Sequence, residues 1–239
     1  NKTVLITGGT RGLGASMVKL FSDCGAKIIA TTTNEQNLDS LNSKYKNVEY
    51  AYLDLSSENS IDNFFNFLKS KKQIDVLINN AGINKIDKIT NINSDDWSKI
   101  LNVNLSGPFK LIKKISQLMK QNNYGRIVNI SSIFGVVSKE KRSSYSSSKW
   151  GLIGLTKAVA LDLSRYNILV NSVSPGFVYT ELTKKILGDN GIEDICKEIP
   201  LMRLASPEEI AKTVIFISSH LNTYITGQNI IIDGGFTSA

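Results

Sequence analysis

The 239-residue chain is poor in the residues that build stapled or metal-bound folds. It has two cysteines, Cys24 and Cys196, and one histidine, His220. Two thiols cannot make a disulfide framework, and with one histidine they lack the partners for a zinc site. A reducing compartment suits such a chain. There is no internal repeat and no low-complexity tract, which excludes fibres and leaves no visible linker. No apolar run approaches 18 residues, so no transmembrane helix is expected. Blocks of like charge are also missing, although Lys and Arg outnumber Asp and Glu by 28 to 21, a net charge of +7. The lysines are scattered singly or in pairs such as Lys113-Lys114 and Lys184-Lys185, which reads as solvated surface rather than a nucleic-acid or membrane patch. The chain enters a strand pattern almost at once, so no leader peptide is expected.

What is present is a regular alternation. Short apolar runs at Thr3–Ile6, Lys27–Ala30, Val48–Leu53, Asp75–Ile78, Arg126–Ile130, Ile168–Val173 and Asn229–Ile232 read as seven strands. Between them lie helical stretches to about Asp23, over Glu35–Ser43, Glu58–Lys71, Asp95–Gln121 and Ser143–Tyr166, and one opened by Ser206-Pro207-Glu208-Glu209. Strands and helices at this spacing predict βαβ units: one α/β domain spanning residues 1–239, with a doubly wound parallel sheet of about seven strands covered on both faces. Residues 177–200 form the one long irregular stretch, expected to hold at most a short helix and to act as a mobile lid.

Four constellations carry chemistry. Thr7-Gly8-Gly9-Thr10-Arg11-Gly12-Leu13-Gly14 follows the first strand and opens the first helix. Glycines there allow a tight turn and let a pyrophosphate approach unpaired N–H groups at a helix N-terminus. Asn79-Asn80-Ala81-Gly82 ends the fourth strand, where ligands of open α/β sheets bind. Tyr145 and Lys149 are four residues apart on one helix face. An ammonium beside a phenol lowers the phenol pKa and makes it a workable acid or base. Ser131-Ser132, past the fifth strand, supplies a hydroxyl for a carbonyl oxygen. Asn104 sits mid-helix, where asparagine is a poor helix former, and suggests a bend.

In order and spacing, these motifs with Asp54 and Pro175-Gly176 resemble the short-chain dehydrogenase/reductase family, of the Rossmann type. Within it the chain is similar to bacterial 3-oxoacyl-[acyl-carrier-protein] reductases of fatty acid biosynthesis. That similarity rests on Ile199-Pro200-Leu201-x-Arg203, Pro207-Glu208-Glu209-Ile210-Ala211, Tyr224-Ile225-Thr226-Gly227 and Asp233-Gly234-Gly235. The resemblance implies a hydride-transfer site. Tyr145 would protonate the substrate oxygen and Ser132 would hold it. Lys149 would bind the nicotinamide ribose and lower the tyrosine pKa, and Asn104 would serve a water relay to Lys149. Gly8, Thr10, Arg11, Gly12, Leu13 and Gly14 would cradle the pyrophosphate. Asp54 and Leu55 would meet the adenine, and Asn80, Ala81 and Gly82 the adenosine ribose. Pro175, Gly176, Val178 and Thr180 would border the nicotinamide.

Thr31-Thr32-Thr33-Asn34 ends the second strand without the carboxylate that NAD enzymes of this fold place on the ribose 2′-OH. Arg11 and Thr33 suit a 2′-phosphate instead, so NADP(H) is favoured over NAD(H). The expected substrate is a 3-oxoacyl thioester on acyl carrier protein. The alternatives are another ketone, such as a surface-polysaccharide sugar precursor, and an NADP(H)-sensing protein without turnover. The nearest basic residues for an acidic carrier are Lys120, Arg126 and Arg165, and Trp150 follows Lys149 where the acyl reductases carry a small residue. The resemblance further implies a cytoplasmic homotetramer.

Overall fold

The computed structural model describes residues 2–239. The strands are β1 Thr3–Ile6, β2 Lys27–Thr32, β3 Val48–Tyr52, β4 Val76–Asn79, β5 Gly125–Ile130, β6 Ile168–Pro175 and β7 Asn229–Ile232. All pair in parallel, in the order β3-β2-β1-β4-β5-β6-β7. The helices are α1 Gly12–Asp23, α2 Leu38–Asn42, α3 Glu58–Leu68, α4 Ser94–Leu101, α5 Gly107–Gln121, α6 Ser143–Leu163, α7 Glu181–Glu198 and α8 Pro207–Ser218. This is a single Rossmann-like domain. The strand order reverses between β1 and β4, which opens a crevice at their C-terminal ends.

Alternate side chains of each strand enter opposite cores. Leu5, Leu77, Ile127 and Val170 pack with Phe64, Leu111, Ile115 and Leu163 of α3, α5 and α6. Val4, Ile78, Val128 and Val173 pack with Met17, Val18, Ile210 and Val214 of α1 and α8. Burial on both faces explains the nearly uninterrupted apolar strands.

Three differences from the sequence reading have local causes. The helix expected over Asp95–Gln121 is α4 and α5 joined by a π turn, Asn102–Ser106. The poor helix former Asn104 thus widens the helix by one residue instead of ending it. The Glu35–Ser43 helix is a 3₁₀ turn, Glu35–Asn37, followed by the five-residue α2. Residues 181–198 are helical; Gly188 (φ 65°) breaks α7, and Gly188-Asp189-Asn190-Gly191 mimics a turn in the sequence.

Arg126 was counted among residues available to an acidic partner, and the structure corrects this. It is buried, donating to the carbonyls of Gly125, Asn167 and Asn222 at 2.8, 3.1 and 3.1 Å. Lys120 and Arg165 remain exposed, both against the Tyr166 ring.

Three helix starts, those of α3, α4 and α8, are capped by side chains. Ser57 accepts from the Ser60 amide, and Asn93 from the Asp96 amide. At α8, Ser206 accepts from the Glu209 amide while Glu209 accepts from the Ser206 amide, a reciprocal capping box. Arg203 grips the same carboxylate with two nitrogens and, with the Ser206 amide, holds Glu209 down at about 2. Ser206→Ala is expected to destabilise the fold by about 1 kcal/mol, read as a lower denaturant midpoint at constant slope. An unchanged midpoint would remove the capping box from the account of α8.

Candidate active site

The crevice begins with the glycine loop. Gly8 and Gly12 have positive φ, 66° and 52°, which side chains rarely adopt. A Cβ on Gly14 would lie 2.0 Å from the Gly8 carbonyl oxygen, so only glycine lets α1 start this close to β1. The loop is stitched to the end of β4. Asn80 Nδ2 donates to the carbonyls of Thr7 and Gly8, at 2.8 and 3.1 Å, and Thr7 Oγ1 accepts from the amides of Asn80 and Ala81. Thr31 Oγ1 accepts from the Gly8 amide at 3.1 Å. Asn80 therefore shapes the loop instead of merely facing it. Leu13 packs into the core below, while Thr10 and Arg11 stand exposed.

The α1 N-terminus has neither a capping side chain nor an acidic residue in its first turn. Its amides and the positive end of the helix dipole face the crevice, as an anion requires. A dinucleotide pyrophosphate fits this cradle. Thr180, the N-cap of α7, approaches from across the crevice: a Cβ on Gly12 would sit 3.6 Å from its Cγ2. Val178 bridges to Ala205, and Gly176 packs too tightly on Asp233 for any side chain. Buried Pro175 ends β6 beneath them. Thr33 is exposed beyond β2, and the first carboxylate after it is Glu35. Asp54 Oδ1 is engaged by the amide and hydroxyl of Ser56, at 2.8 and 2.7 Å, and Leu55 is buried against Gly107.

Ser132, Tyr145 and Lys149 converge beyond β5. Ser132 Oγ accepts from the Phe134 amide at 3.1 Å, and its hydroxyl draws the Tyr145 phenol pKa downward. Lys149 is 3% exposed, with its Nζ 5.5 Å from the Tyr145 ring centre and donating to the Ile130 carbonyl at 2.8 Å. Gly82 lies between Asn104 and Lys149; a Cβ there would be 3.5 Å from Asn104 Oδ1 and 3.6 Å from Lys149 Nζ. Asn104 is buried. Its amide exchanges hydrogen bonds with the Ile83 backbone, both 2.9 Å, and donates to Ser148 Oγ at 3.0 Å.

Electrostatics here depart from the expectation of a lowered tyrosine. Burial raises the Tyr145 phenol above its ordinary value of 10.0, with Ser132 and the Arg142 guanidinium pulling the other way. Burial also brings Lys149 down from 10.5 to about 8. Desolvation thus outweighs the Ser132 hydroxyl and the Arg142 guanidinium, and the phenol stays protonated at neutral pH. Sequence reasoning missed Arg142 and the rings of Phe134, Phe177 and Phe236. The rings form an edge-to-face chain from Tyr145, with centres 6.4, 6.3 and 5.4 Å apart in turn. Arg142, three residues before Tyr145 where a helix cap belongs, was the available signal. Among the described residues no cluster suits a metal ion and no helix is long and apolar enough to cross a membrane.

A family model described as Enoyl-(Acyl carrier protein) reductase matches residues 8–237. The chain is 34% identical to the 3-oxoacyl-[acyl-carrier-protein] reductase FabG of Chlamydia pneumoniae, over 99% of this chain and 97% of that protein. Among solved structures it is similar to a 4-hydroxyisoleucine dehydrogenase complexed with NADH (34% identity, TM-score 0.94, all of both chains). It is also similar to a gluconate 5-dehydrogenase from Burkholderia cenocepacia J2315 in complex with NADP and tartrate (28% identity, TM-score 0.93, 100% of this chain and 96% of that one).

Lys149 generates a stability prediction. Between about pH 8 and 10.5 it is neutral when folded and charged when unfolded. The unfolded state then binds the extra proton, and stability rises with pH in that window. Relative to Lys149→Met, the wild type should gain on the order of 3 kcal/mol between pH 7 and pH 10.5, measured by urea unfolding at both. A constant difference would show that Lys149 is not perturbed.

Proposed function

The chain belongs to the short-chain dehydrogenase/reductase family of oxidoreductases, and on that premise we propose that it is an NADP(H)-dependent reductase of ketones, with a 3-oxoacyl thioester on acyl carrier protein as substrate. The observation that carries the chemistry is the convergence of Ser132, Tyr145 and Lys149 on the crevice that the uncapped glycine loop faces. The thioester is favoured by similarity to the bacterial reductases over nearly the whole chain.

Each residue has a role in this reading. Gly8, Gly12 and Gly14, with the first amides of α1, hold the pyrophosphate. Asn80, Ala81, Gly82, Asp54 and Leu55 line the adenosine side, and Pro175, Gly176, Val178 and Thr180 the nicotinamide side. When bound, the nicotinamide supplies the hydride. Ser132 holds the substrate oxygen by a hydrogen bond. Tyr145, protonated at neutral pH because burial raises it, gives that oxygen its proton. Lys149 binds the ribose and returns the proton to Tyr145, and Asn104 completes the relay by holding the Ile83 segment against Ser148. Helix α7, broken at Gly188 and exposing Leu182 and Ile186, closes over the substrate as a lid.

Exposed Phe109, Trp150 and Leu161 on α5 and α6 suit helix pairing between subunits, and Leu221, Tyr224 and Ile231 a second contact, as a homotetramer needs. Trp150, half exposed, is read as part of the first contact. Lys120 and Arg165 around Tyr166 form the basic patch for an acidic carrier, with buried Arg126 excluded. By similarity to the bacterial reductases the setting is read as cytoplasmic. A keto-sugar or keto-acid substrate is the second reading, favoured by the likeness to a gluconate 5-dehydrogenase.

NADPH oxidation with acetoacetyl thioesters beside a panel of keto-sugars tests the substrate; failure on every thioester would move the assignment to the second reading. Tyr145→Phe should lower kcat by about 10²- to 10⁴-fold while NADPH fluorescence still reports binding. Unimpaired turnover would refute the proton donor. Arg11→Ala should weaken NADPH about tenfold and leave NADH little changed. Equal effects on both dinucleotides would remove Arg11 from the 2′-phosphate.

A further inference from the structure

A cleft of about 500 Å³ opens between Lys88–Thr90, after β4, and Ser138–Ser143, which leads into α6 and toward Tyr145. The Asp87 amide donates to the Lys141 carbonyl at 3.2 Å and ties its two walls together. Lys88, Lys139, Lys141 and Arg142 line it with one carboxylate, Glu140, which sits 3.8 Å from Lys141. Arg142 differs from the lysines. It is half-buried, its guanidinium lies 5.4 Å over the Phe134 ring centre, and that ring meets the Tyr145 ring edge-on at 6.4 Å. Among the described residues no carboxylate pairs with Arg142 and no acceptor takes its N–H groups. Burial draws it below its ordinary value, with only the Tyr145 phenolate opposing.

Its place in the chain is locally unfavourable. Arg142 is the N-cap of the 21-residue α6, whose first turn has no acidic residue and no capping side chain. Caps prefer Ser, Thr, Asp or Asn, and a cation at a helix N-terminus opposes the dipole. The hydroxyls of Ser143, which lines the cleft, and of Ser144 are buried without partners. The helix end and the free guanidinium are both satisfied by one negatively charged group.

Resting on the reading of the site as a carbonyl reductase, we propose that Arg142 binds a carboxylate on the substrate, so that oxo-acids with the acid a few bonds from the ketone are reduced by this site alongside thioesters. The ketone oxygen meets Ser132 and Tyr145, and the carboxylate reaches past Phe134 to the planar fork of Arg142. The balance is that of the parent reaction: one hydride to the carbonyl carbon, one proton from Tyr145 to its oxygen, and the carboxylate unchanged.

The test compares 3-oxobutanoate, 4-oxopentanoate and 5-oxohexanoate with their methyl esters in the wild type, Arg142→Gln and Arg142→Lys. The wild type should prefer at least one acid to its ester by about tenfold in kcat/KM. Arg142→Gln should lose that preference and Arg142→Lys keep part of it. The acid-to-ester ratio cancels any effect of Arg142 on the Tyr145 proton. Calorimetry with NADP⁺ present, where a ketone has no hydride to accept, reads binding alone and should show the same loss in Arg142→Gln. No preference in the wild type, or a preference unchanged in Arg142→Gln, overturns the assignment. Thioester turnover without acid preference does so while leaving the reductase reading intact. Should no ketone be reduced, the reductase reading falls, and acid binding that depends on Arg142 still decides the anion site.

Discussion

Burying an ammonium costs several kcal/mol unless polar groups surround it, and Lys149 is held almost wholly out of water by the Ile130 carbonyl at 2.8 Å. That carbonyl belongs to the last residue of β5, where the strand gives way to Ser131 and Ser132. Ser131 Oγ donates to the Lys149 carbonyl at 3.1 Å, so helix and strand end are tied twice. A Cβ on Gly135 would fall 2.7 Å from Ile153 and 2.8 Å from Ser131 Oγ, so the approach requires glycine. The contacts that keep Lys149 dry therefore also hold the strand end that leads to Ser132 against the helix that carries Tyr145. The energetic cost of that burial appears as the fall in its pKa to about 8.

Beneath the crevice a polar lattice carries this registration across the sheet. Asn79 donates to Asn129 at 2.8 Å, Asn129 to Thr156 at 2.9 Å, and Thr156 to the Leu152 carbonyl within α6. β4, β5 and α6 are thus linked by side-chain amides where apolar residues would have sufficed for burial alone. Asn104 supplies a second link, joining the π turn to Ile83 and, through Ser148, to the Tyr145 carbonyl. Such a network rigidifies the elements it joins, although Asn79 Oδ1 is left without a partner, and these are the elements that carry Ser132, Tyr145 and Lys149.

Much of this was legible in the sequence because it depends on local patterns. Apolar strands at βαβ spacing predict the sheet, and glycines after β1 predict the loop. A four-residue interval places Tyr145 and Lys149 on one face. What was not legible depends on the environment. Arg126 reads as a surface cation until the carbonyls of Gly125, Asn167 and Asn222 enclose it. The Tyr145–Lys149 pair reads as a lowered phenol until desolvation is weighed against charge. Helix α7 reads as loop because Gly188 and Gly191 flank a turn-like pair, and its support comes from a small cluster around Ile195, Ile199 and Leu204, distant in chain pattern from the main cores. Asn80 reads as a ligand contact, and the sequence did not show that its amide nitrogen also donates to the carbonyls of the loop it faces.

The ends of the helices divide along the same line. Starts that serve only the fold, at α3, α4 and α8, carry Ser or Asn caps and acidic first turns. Of the starts at the crevice, α7 has the Thr180 cap and Glu181 behind it, whereas α1 and α6 carry arginine at the cap and no acid behind it. An uncapped amide cluster next to a guanidinium destabilises an isolated helix, so neither choice follows from helix formation. In the proposed reading both choices are offset from outside the chain, by a phosphate at Arg11 and a carboxylate at Arg142, so that stability withheld at these two helix ends would be returned on binding.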